Sequence, residues 1–242
     1  MIKTDKPISA VKYNGADIPL DAHPADGIVV TSRDANGKPL EIDFYGSIVY
    51  GNTFGVTIGA NTVPENPMAY VEKINFKNEL TEIHTAAFAF GHITELRIPE
   101  TVILPSVVYQ GLNSPFKNCS KLKSVEYLTS SNIYTGFFIS CTSLEDFNAP
   151  NISSVSTANA QYGAFGGCTA LKNVSLGSVG HSITTLHSST FMGCTQDFLT
   201  ITAYTTAALK DTILANIRNG ATNATIILKD STTGETLITS TP

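Results

Sequence analysis

A short motif that recurs through the middle of the chain limits what this sequence can fold into. Each copy reads Phe-x-x-Cys followed by Ser or Thr, and the copies begin at Phe116, Phe138, Phe165 and Phe191. All the cysteines of the chain occupy the same position of this motif: Cys119, Cys141, Cys168 and Cys194. A fifth copy begins at Phe88 and has Gly91 in place of the cysteine. Successive phenylalanines are 28, 22, 27 and 26 residues apart, a period that indicates a solenoid of stacked repeats.

A second pattern has three apolar residues spaced as in Leu-x-x-Leu-x-Leu, which is typical of the strand of a leucine-rich repeat. Its copies begin at Val71, Ile93, Leu122, Leu144, Leu171 and Phe198. The last two apolar residues of each copy lie two apart, so on a strand both point into the core. A third apolar position precedes several phenylalanines by five residues, at Ile83, Ile133 and Leu186. One repeat cannot bury its own apolar face, and stacking therefore places equivalent residues on top of each other in columns.

The regular spacing of four cysteines also suggests a disulfide framework or a zinc site. Bridged pairs rarely recur at one position of a repeat, and the sequence has no Cys-x-x-Cys or Cys/His spacing for zinc. Free cysteine, by contrast, is among the most buried residue types. We therefore predict that the cysteines form a buried packing column, and we expect neither a metal nor another cofactor.

These repeats resemble the units of BspA-like leucine-rich repeat proteins, which read close to Ile-x-x-x-Ala-Phe-x-x-Cys-x-x-Leu-x-x-Val-x-Ile-Pro. The units that begin at Ala164 and Phe116 match well, and Pro99 and Pro150 supply the proline after the strand. The match covers roughly residues 66–206. The resemblance implies a curved parallel β solenoid, usually in a bacterial surface protein that binds a partner, and it implies no catalytic residues.

The predicted fold is mostly β: a leucine-rich-repeat solenoid with a parallel β-sheet, a small β N-terminal cap and an α/β C-terminal cap. The predicted domains are residues 1–65, 66–206 and 207–242. In the N-terminal cap, Gly27–Arg33 and Lys38–Phe44 flank Asn36 and Gly37, a pair that favours a hairpin turn. Further strands are expected over Ser47–Tyr50 and Gly55–Ile58.

The C-terminal cap is predicted to contain one helix and one hairpin. Apolar residues at helical spacing indicate an amphipathic helix over Thr206–Asn219, which Gly220 would stop. Thr225–Lys229 and Glu235–Thr239 then form the hairpin. Long repeats carry insertions around Leu104–Ser114, Ser156–Gly163 and Gly177–Ser182, and such insertions map to surface loops that often mark a binding side.

Charge and motif content exclude several classes of function. The formal net charge is −5 and no basic cluster occurs, so we expect no nucleic-acid partner. No apolar run approaches the ~20 residues of a membrane span, so we expect no membrane insertion. His84 and His187 share a column but lie four repeats apart, too far apart to bind one metal ion. Glu145 and Asp146 are adjacent on a strand, so their side chains point to opposite faces and we do not expect them to share a proton. Since no nucleotide-binding or catalytic motif is present, the prediction is that the protein is not an enzyme.

The outward positions of the strands form two polar columns. The central column is Asn75, Arg97, Glu126, Asn148, Ser175 and Thr202, and the neighbouring column is Lys73, Glu95, Ser124, Asp146, Asn173 and Thr200. We predict binding residues within them at Arg97, Glu126, Asn148, Ser175, Glu95, Asp146 and Asn173. Tyr109 and Tyr162 in insertions, and Tyr134 beside the third apolar position, are added because exposed tyrosine favours interfaces. The alternatives are that the two columns form only a solvated sheet face and that the tyrosines pack in the core.

The predicted function is that of a non-catalytic binding or adhesion module of a bacterial surface protein. Its partner would be a protein or glycan on another cell or host surface, recognised through the repeat face and the insertion loops. The expected location is extracellular or at the cell surface, although the sequence lacks the pattern of a signal peptide. The alternative is a phage or prophage tail-associated structural or receptor-binding protein of the virion. It rests on Ile8–Gly15, which is similar to the openings of some Firmicute phage-tail-associated proteins.

Overall fold

The structure is a computed structural model of the chain. It describes residues 10–13, 16–19, 27–52, 55–58, 61–62, 70–77, 80–84, 87–89, 91–104, 114–156 and 163–242. The N-terminal strands are β1 (Ala10–Tyr13), β2 (Ala16–Pro19), β3 (Gly27–Arg33), β4 (Pro39–Tyr45), β5 (Ile48–Asn52), β6 (Gly55–Ile58) and β7 (Asn61–Thr62). The repeats supply β8 (Lys73–Phe76), β9 (Glu82–Ile83), β10 (Glu95–Ile98), β11 (Ser124–Tyr127), β12 (Asp146–Ala149), β13 (Ser154–Val155), β14 (Asn173–Leu176), β15 (Thr185–Leu186) and β16 (Thr200–Thr205). The chain ends with α1 (Lys210–Gly220), β17 (Thr225–Asp230) and β18 (Thr236–Ser240).

The largest sheet of the described residues has ten strands in the order β18-β17-β16-β14-β12-β11-β10-β8-β4-β3. Its strands pair in parallel from β4 to β17, and the two outermost pairs are antiparallel. The apolar residues of the strand motif stack in register, for example Val125 on Phe147 and Phe147 on Val174. Each of these three side chains is 2% exposed. The predicted mostly β solenoid with a parallel sheet is therefore confirmed.

The predicted packing role of the cysteines is confirmed, and each thiol also makes a specific contact. All four cysteines are free and buried. Each Sγ donates a hydrogen bond to the carbonyl of the motif phenylalanine in the preceding repeat, from Cys119 to Phe88, Cys141 to Phe116, Cys168 to Phe138 and Cys194 to Phe165. The Sγ to oxygen distances are 3.0, 3.2, 3.1 and 3.2 Å. We call this series the thiol ladder, because one bond of the same kind joins each neighbouring pair of repeats from Phe88 to Cys194.

The phenylalanines of the same motif form a stack beside the thiol ladder. Ring centroids are 5.5 Å apart from Phe88 to Phe116, 5.2 Å to Phe138, 5.7 Å to Phe165 and 5.3 Å to Phe191. The planes of successive rings differ by only 3° to 8°. At these distances the rings are offset and stacked, an arrangement that stabilises beyond the area it buries.

The residue before each cysteine adopts a left-handed backbone conformation. The φ angles are 58° at Asn118, 59° at Ser140, 73° at Gly167 and 79° at Gly193. This conformation turns the chain sharply and lets the amide of Ser140 donate to the carbonyl of Gly166 in the next repeat, at 2.8 Å. The turn side of the solenoid is thereby hydrogen-bonded from repeat to repeat, as the sheet side is.

Both caps continue the sheet of the repeats. At the N-terminal end, β4 pairs in parallel with β8 and places Ile42 on Ile74 and Phe44 on Phe76. At the other end, β17 pairs in parallel with β16 and places Ile226 on Ile201. Each cap then ends with an antiparallel strand, β3 or β18, so the predicted hairpins are present. The predicted boundaries at residues 65 and 206 stay a prediction, but the sheet runs through both cap regions.

Two details of the C-terminal part differ from the sequence prediction. The helix begins at Lys210 instead of Thr206, because β16 extends to Thr205 and a turn occupies residues 207–209. In addition, Phe198 does not occupy the first apolar position of its repeat. It is 55% exposed, and Leu199 is buried instead. This repeat has one residue more between its cysteine and the strand motif than the repeats before it, and the turn is shifted. Gln196 donates to the carbonyls of Cys168 and Leu171 there.

Candidate functional site

A groove of about 740 Å³ runs along the outward face of the main sheet. Its polar lining consists of the two columns predicted from the sequence, from Lys73 and Asn75 on β8 to Thr200 and Thr202 on β16. The strand register aligns the central column as predicted, with Arg97 beside Glu126, then Asn148, Ser175 and Thr202. The neighbouring column is aligned likewise from Lys73 through Glu95, Ser124, Asp146 and Asn173 to Thr200. The repeat register thus brings the predicted strand residues together in one groove.

The N-terminal end of the groove carries a network of paired charges. Asn75 donates through Nδ2 to Glu41 Oε1 and to Asp43 Oδ1, both at 2.9 Å. Lys73 Nζ lies 3.0 Å from Glu41, and Lys77 Nζ lies 3.4 Å from Asp43. The hydrogen bond from Asn75, followed by that from Lys73, holds the pKa of Glu41 below its ordinary value. The same contact with Glu41 raises the pKa of Lys73.

Sequence reasoning missed Glu41 and Asp43, which belong to β4 of the cap. They flank the apolar residues Ile42 and Phe44, and this alternation repeats the pattern of the repeat strands. From this similarity the outward positions of Glu41 and Asp43 could have been predicted. Because β4 adds a strand to the sheet, its outward carboxylates extend the two polar columns by one position, to Glu41 beside Lys73 and Asp43 beside Asn75.

The middle of the groove contains one further ion pair. Arg97 Nε donates to Glu126 Oε2 at 3.0 Å. The two side chains are 65% and 60% exposed, so the pair contributes little to stability, on the order of 0–1 kcal/mol. In the unbound protein, however, the charges of Arg97 and Glu126 are paired with each other. Glu95, which has no hydrogen-bond or ion-pair partner in the described part of the chain, adds a negative charge beside them.

The C-terminal half of the groove is nearly free of charge. Asn173 Nδ2 donates to Asp146 Oδ1 at 2.7 Å and joins two neighbouring strands. The other polar lining residues of this half have side chains without a hydrogen-bond partner among the described residues: Asn148, Ser175, Thr200 and Thr202. We call Asn148, Asn173, Ser175, Thr200 and Thr202 the neutral segment of the groove. Apart from the Asn173 amide that donates to Asp146, its amides and hydroxyls are open to a ligand from solvent.

Of the three predicted tyrosines the structure describes only Tyr134, which does not line the groove. Tyr109 and Tyr162 lie outside the described residues. Tyr134 is half-buried and packs against the core, with its ring centroid 5.9 Å from that of Phe137. The binding role predicted for Tyr134 therefore stays a prediction, and the structure gives the residue a packing contact.

The side chains outside the groove that could suggest catalysis have local partners. His187 Nδ1 lies 3.0 Å from Ser189 Oγ and accepts a hydrogen bond from the Ser189 amide at 3.2 Å. Ser189 is only 2% exposed, so its hydroxyl is not presented to a substrate. Glu145 pairs with Lys172 at 2.6 Å, and this hydrogen bond lowers the pKa of Glu145.

Two findings concern the described residues alone. They contain no group of three or more potential metal ligands, and no helix among them has the length and apolar character to cross a bilayer.

The stacked strands, the apolar columns and the recurring strand motif define a leucine-rich repeat solenoid. The family model for the BspA-type leucine-rich repeat region, with six copies, matches residues 66–159 and 100–219. Because these matches together span more than half of the chain, the protein belongs to the BspA-type leucine-rich repeat family. Such repeats are typically non-catalytic, and proteins that carry them are generally surface-associated. Neither the curated proteins nor the solved structures include a significant match.

Proposed function

We propose that the protein is a non-catalytic binding module of a bacterial surface protein and that it recognises a protein or glycan partner through the groove. The observation that carries this proposal is the groove itself. It is about 740 Å³ in volume, within the range of ligand sites, and two columns of aligned polar side chains line it. Membership of the BspA-type family supports a surface location and a binding role.

The lining favours binding over catalysis. Apart from Glu95, the carboxylates in and beside the groove are held in ion pairs or hydrogen bonds, as at Glu41, Glu126 and Asp146. A carboxylate that acts as a general acid or base needs a pKa near neutral pH. Burial or a neighbouring like charge usually raises its pKa to that range. Glu41, beside the N-terminal end of the groove, is shifted the other way, since Asn75 and Lys73 lower its pKa.

The test is a binding panel of immobilised extracellular-matrix proteins and glycans, probed with the full chain. A ligand should bind at micromolar concentration or below. A Ser175→Arg substitution places a long charged side chain in the middle of the groove and should weaken that binding at least tenfold. Thr169→Arg, at an exposed position on the turn side, is the matched control and should bind like the wild type. A panel without any micromolar ligand, or equal binding by both variants, would contradict the proposal.

A further inference from the structure

We propose that the neutral segment of the groove binds an uncharged, extended polysaccharide with β-1,4 linkages. The inference deepens the proposed function and rests on it, because it names the ligand class and the part of the groove that selects it. Three features support it: the pairing of charges, the absence of an apolar anchor in the lining, and the spacing of the unpaired side chains.

The distribution of charge favours a neutral ligand. Lys73 is held by Glu41 at 3.0 Å at the N-terminal end of the groove, and Arg97 is held by Glu126 at 3.0 Å in its middle. An anionic ligand would have to separate these pairs, and it would also meet Glu95 and Asp146. In the neutral segment, Asn148, Ser175 and Thr202 have no partner within the described chain that a ligand must displace. Their amide and hydroxyl groups both donate and accept, as sugar hydroxyls do.

The apolar lining favours a glycan over a protein. Protein interfaces take most of their binding energy from a few large side chains, chiefly Trp, Tyr and Arg, in desolvated pockets. The apolar residues that line this groove lie beneath its surface, since Val125, Phe147 and Val174 are each 2% exposed. Hydrogen bonds must therefore supply most of the recognition. A polyhydroxylated chain can form many of them along one groove.

The spacing of the unpaired groups favours a particular glycan. Asn148, Ser175 and Thr202 lie in register on the successive strands β12, β14 and β16. Neighbouring strands are ~4.8 Å apart, so the three side chains repeat at this interval across the sheet. One pyranose unit of an extended β-1,4-linked chain advances by nearly the same distance. An extended peptide advances by only ~3.3–3.6 Å per residue and would soon lose this match.

The experiment measures binding of defined hexasaccharides to the full chain by calorimetry. Cellohexaose and chitohexaose serve as the neutral β-1,4-linked probes, maltohexaose as the α-linked control and a heparin hexasaccharide as the anionic control. A β-1,4-linked hexasaccharide should bind, and both controls should bind at least tenfold more weakly. Thr202→Val and Ser175→Ala each remove a hydroxyl from the neutral segment and should weaken binding about 3- to 10-fold. Thr169→Val, which removes an exposed hydroxyl outside the groove, should leave binding unchanged.

Several outcomes would overturn the inference. These are failure of both β-1,4-linked probes to bind, equal binding of maltohexaose, and binding that Thr202→Val and Ser175→Ala leave intact. If a protein ligand binds and Ser175→Arg abolishes that binding while the hexasaccharides do not bind, the glycan inference fails and the proposed function stands. If no ligand of any kind depends on the groove, both fail.

Discussion

At the scale of single residues, the cysteine of each repeat has two functions. Its side chain fills a buried position, and its Sγ donates a hydrogen bond to the phenylalanine carbonyl of the preceding repeat. Burial raises the pKa of the Cys141 and Cys168 thiols well above the ordinary value and raises that of Cys194 to about 12. These cysteines are therefore thiols near neutral pH. They resist alkylation and oxidation because the thiolate is the reactive form.

The raised pKa of Cys194 makes stability depend on alkaline pH. A thiol whose pKa is higher in the folded state stabilises the fold fully below the unfolded pKa near 9, and this contribution is lost as pH rises toward about 12. Between pH 9.5 and 10.5 the free energy of unfolding of a Cys194→Ser variant should fall less steeply than that of the wild type. The expected difference is about 1.4 kcal/mol per pH unit, measured by urea titrations at several pH values. Thr195→Ser is the control, and equal slopes for Cys194→Ser and wild type would contradict the prediction.

At the scale of elements, α1 closes the array through a close backbone contact. A Cβ built on Gly220, the last residue of α1, would lie 2.7 Å from the Phe191 carbonyl carbon and 2.8 Å from the Met192 amide nitrogen. Gly220 therefore packs directly on the turn of the last repeat, where only a residue without a side chain fits. Ile213 and Ile217 of the same helix are buried at 1% and 0% exposure.

This contact predicts the sign of a glycine substitution. In a free helix, Gly to Ala stabilises by about 1 kcal/mol. Gly220→Ala should instead destabilise the protein by about 1–3 kcal/mol, because the new Cβ meets backbone that cannot move aside. Urea unfolding and amide exchange of α1 measure the effect. Ala215→Gly, at an exposed position of the same helix, is the control and should cost about 1 kcal/mol. A more stable Gly220→Ala variant would refute the close packing.

At the scale of the whole molecule, contacts run mainly between neighbouring repeats. Phe138, for example, contacts the rings of Phe116, Phe147 and Phe165, with centroids 5.2, 5.2 and 5.7 Å away. In such an array stability is close to a sum of repeat and interface contributions. A destabilising substitution in one repeat should therefore affect the stability of its neighbours most and that of the caps least.

A core substitution in the middle of the stack tests this locality. Phe138→Ala should lower the free energy of unfolding by about 3–5 kcal/mol, because it removes a fully buried ring. Amide exchange should increase most in β11, β12 and β14 and least in β17 and β18. Phe198→Ala, whose ring is 55% exposed, is the control and should change stability by less than about 0.5 kcal/mol. Equal loss of protection in all strands would show that the molecule unfolds as one unit instead.

The sequence predicted the repeats and their register because identical positions must stack. Both polar columns follow from that register, and so does the position of each groove residue from Lys73 to Thr202. The strands β4 and β17 were predicted as parts of separate caps, although they join the main sheet. Spacing from repeat to repeat carries no information about such pairings across cap boundaries. The ion pairs of Glu41 and Asp43 were missed for the same reason, and Phe198 was misplaced because one extra residue shifts its turn.

The hydrogen bonds of the thiol ladder all point the same way along the array, toward its N-terminal end. Every thiol donates to the repeat before it, so each phenylalanine carbonyl serves the repeat that follows. Among the described repeats, the carbonyl of Phe191 alone receives no thiol from a later repeat, and Gly220 lies against it. A duplicated Phe-x-x-Cys unit added after Cys194 would find its acceptor already in place, provided that α1 and the strands β17 and β18 moved outward by one repeat. Duplication of a repeat at this end would thus lengthen the groove and leave the preceding repeats in place.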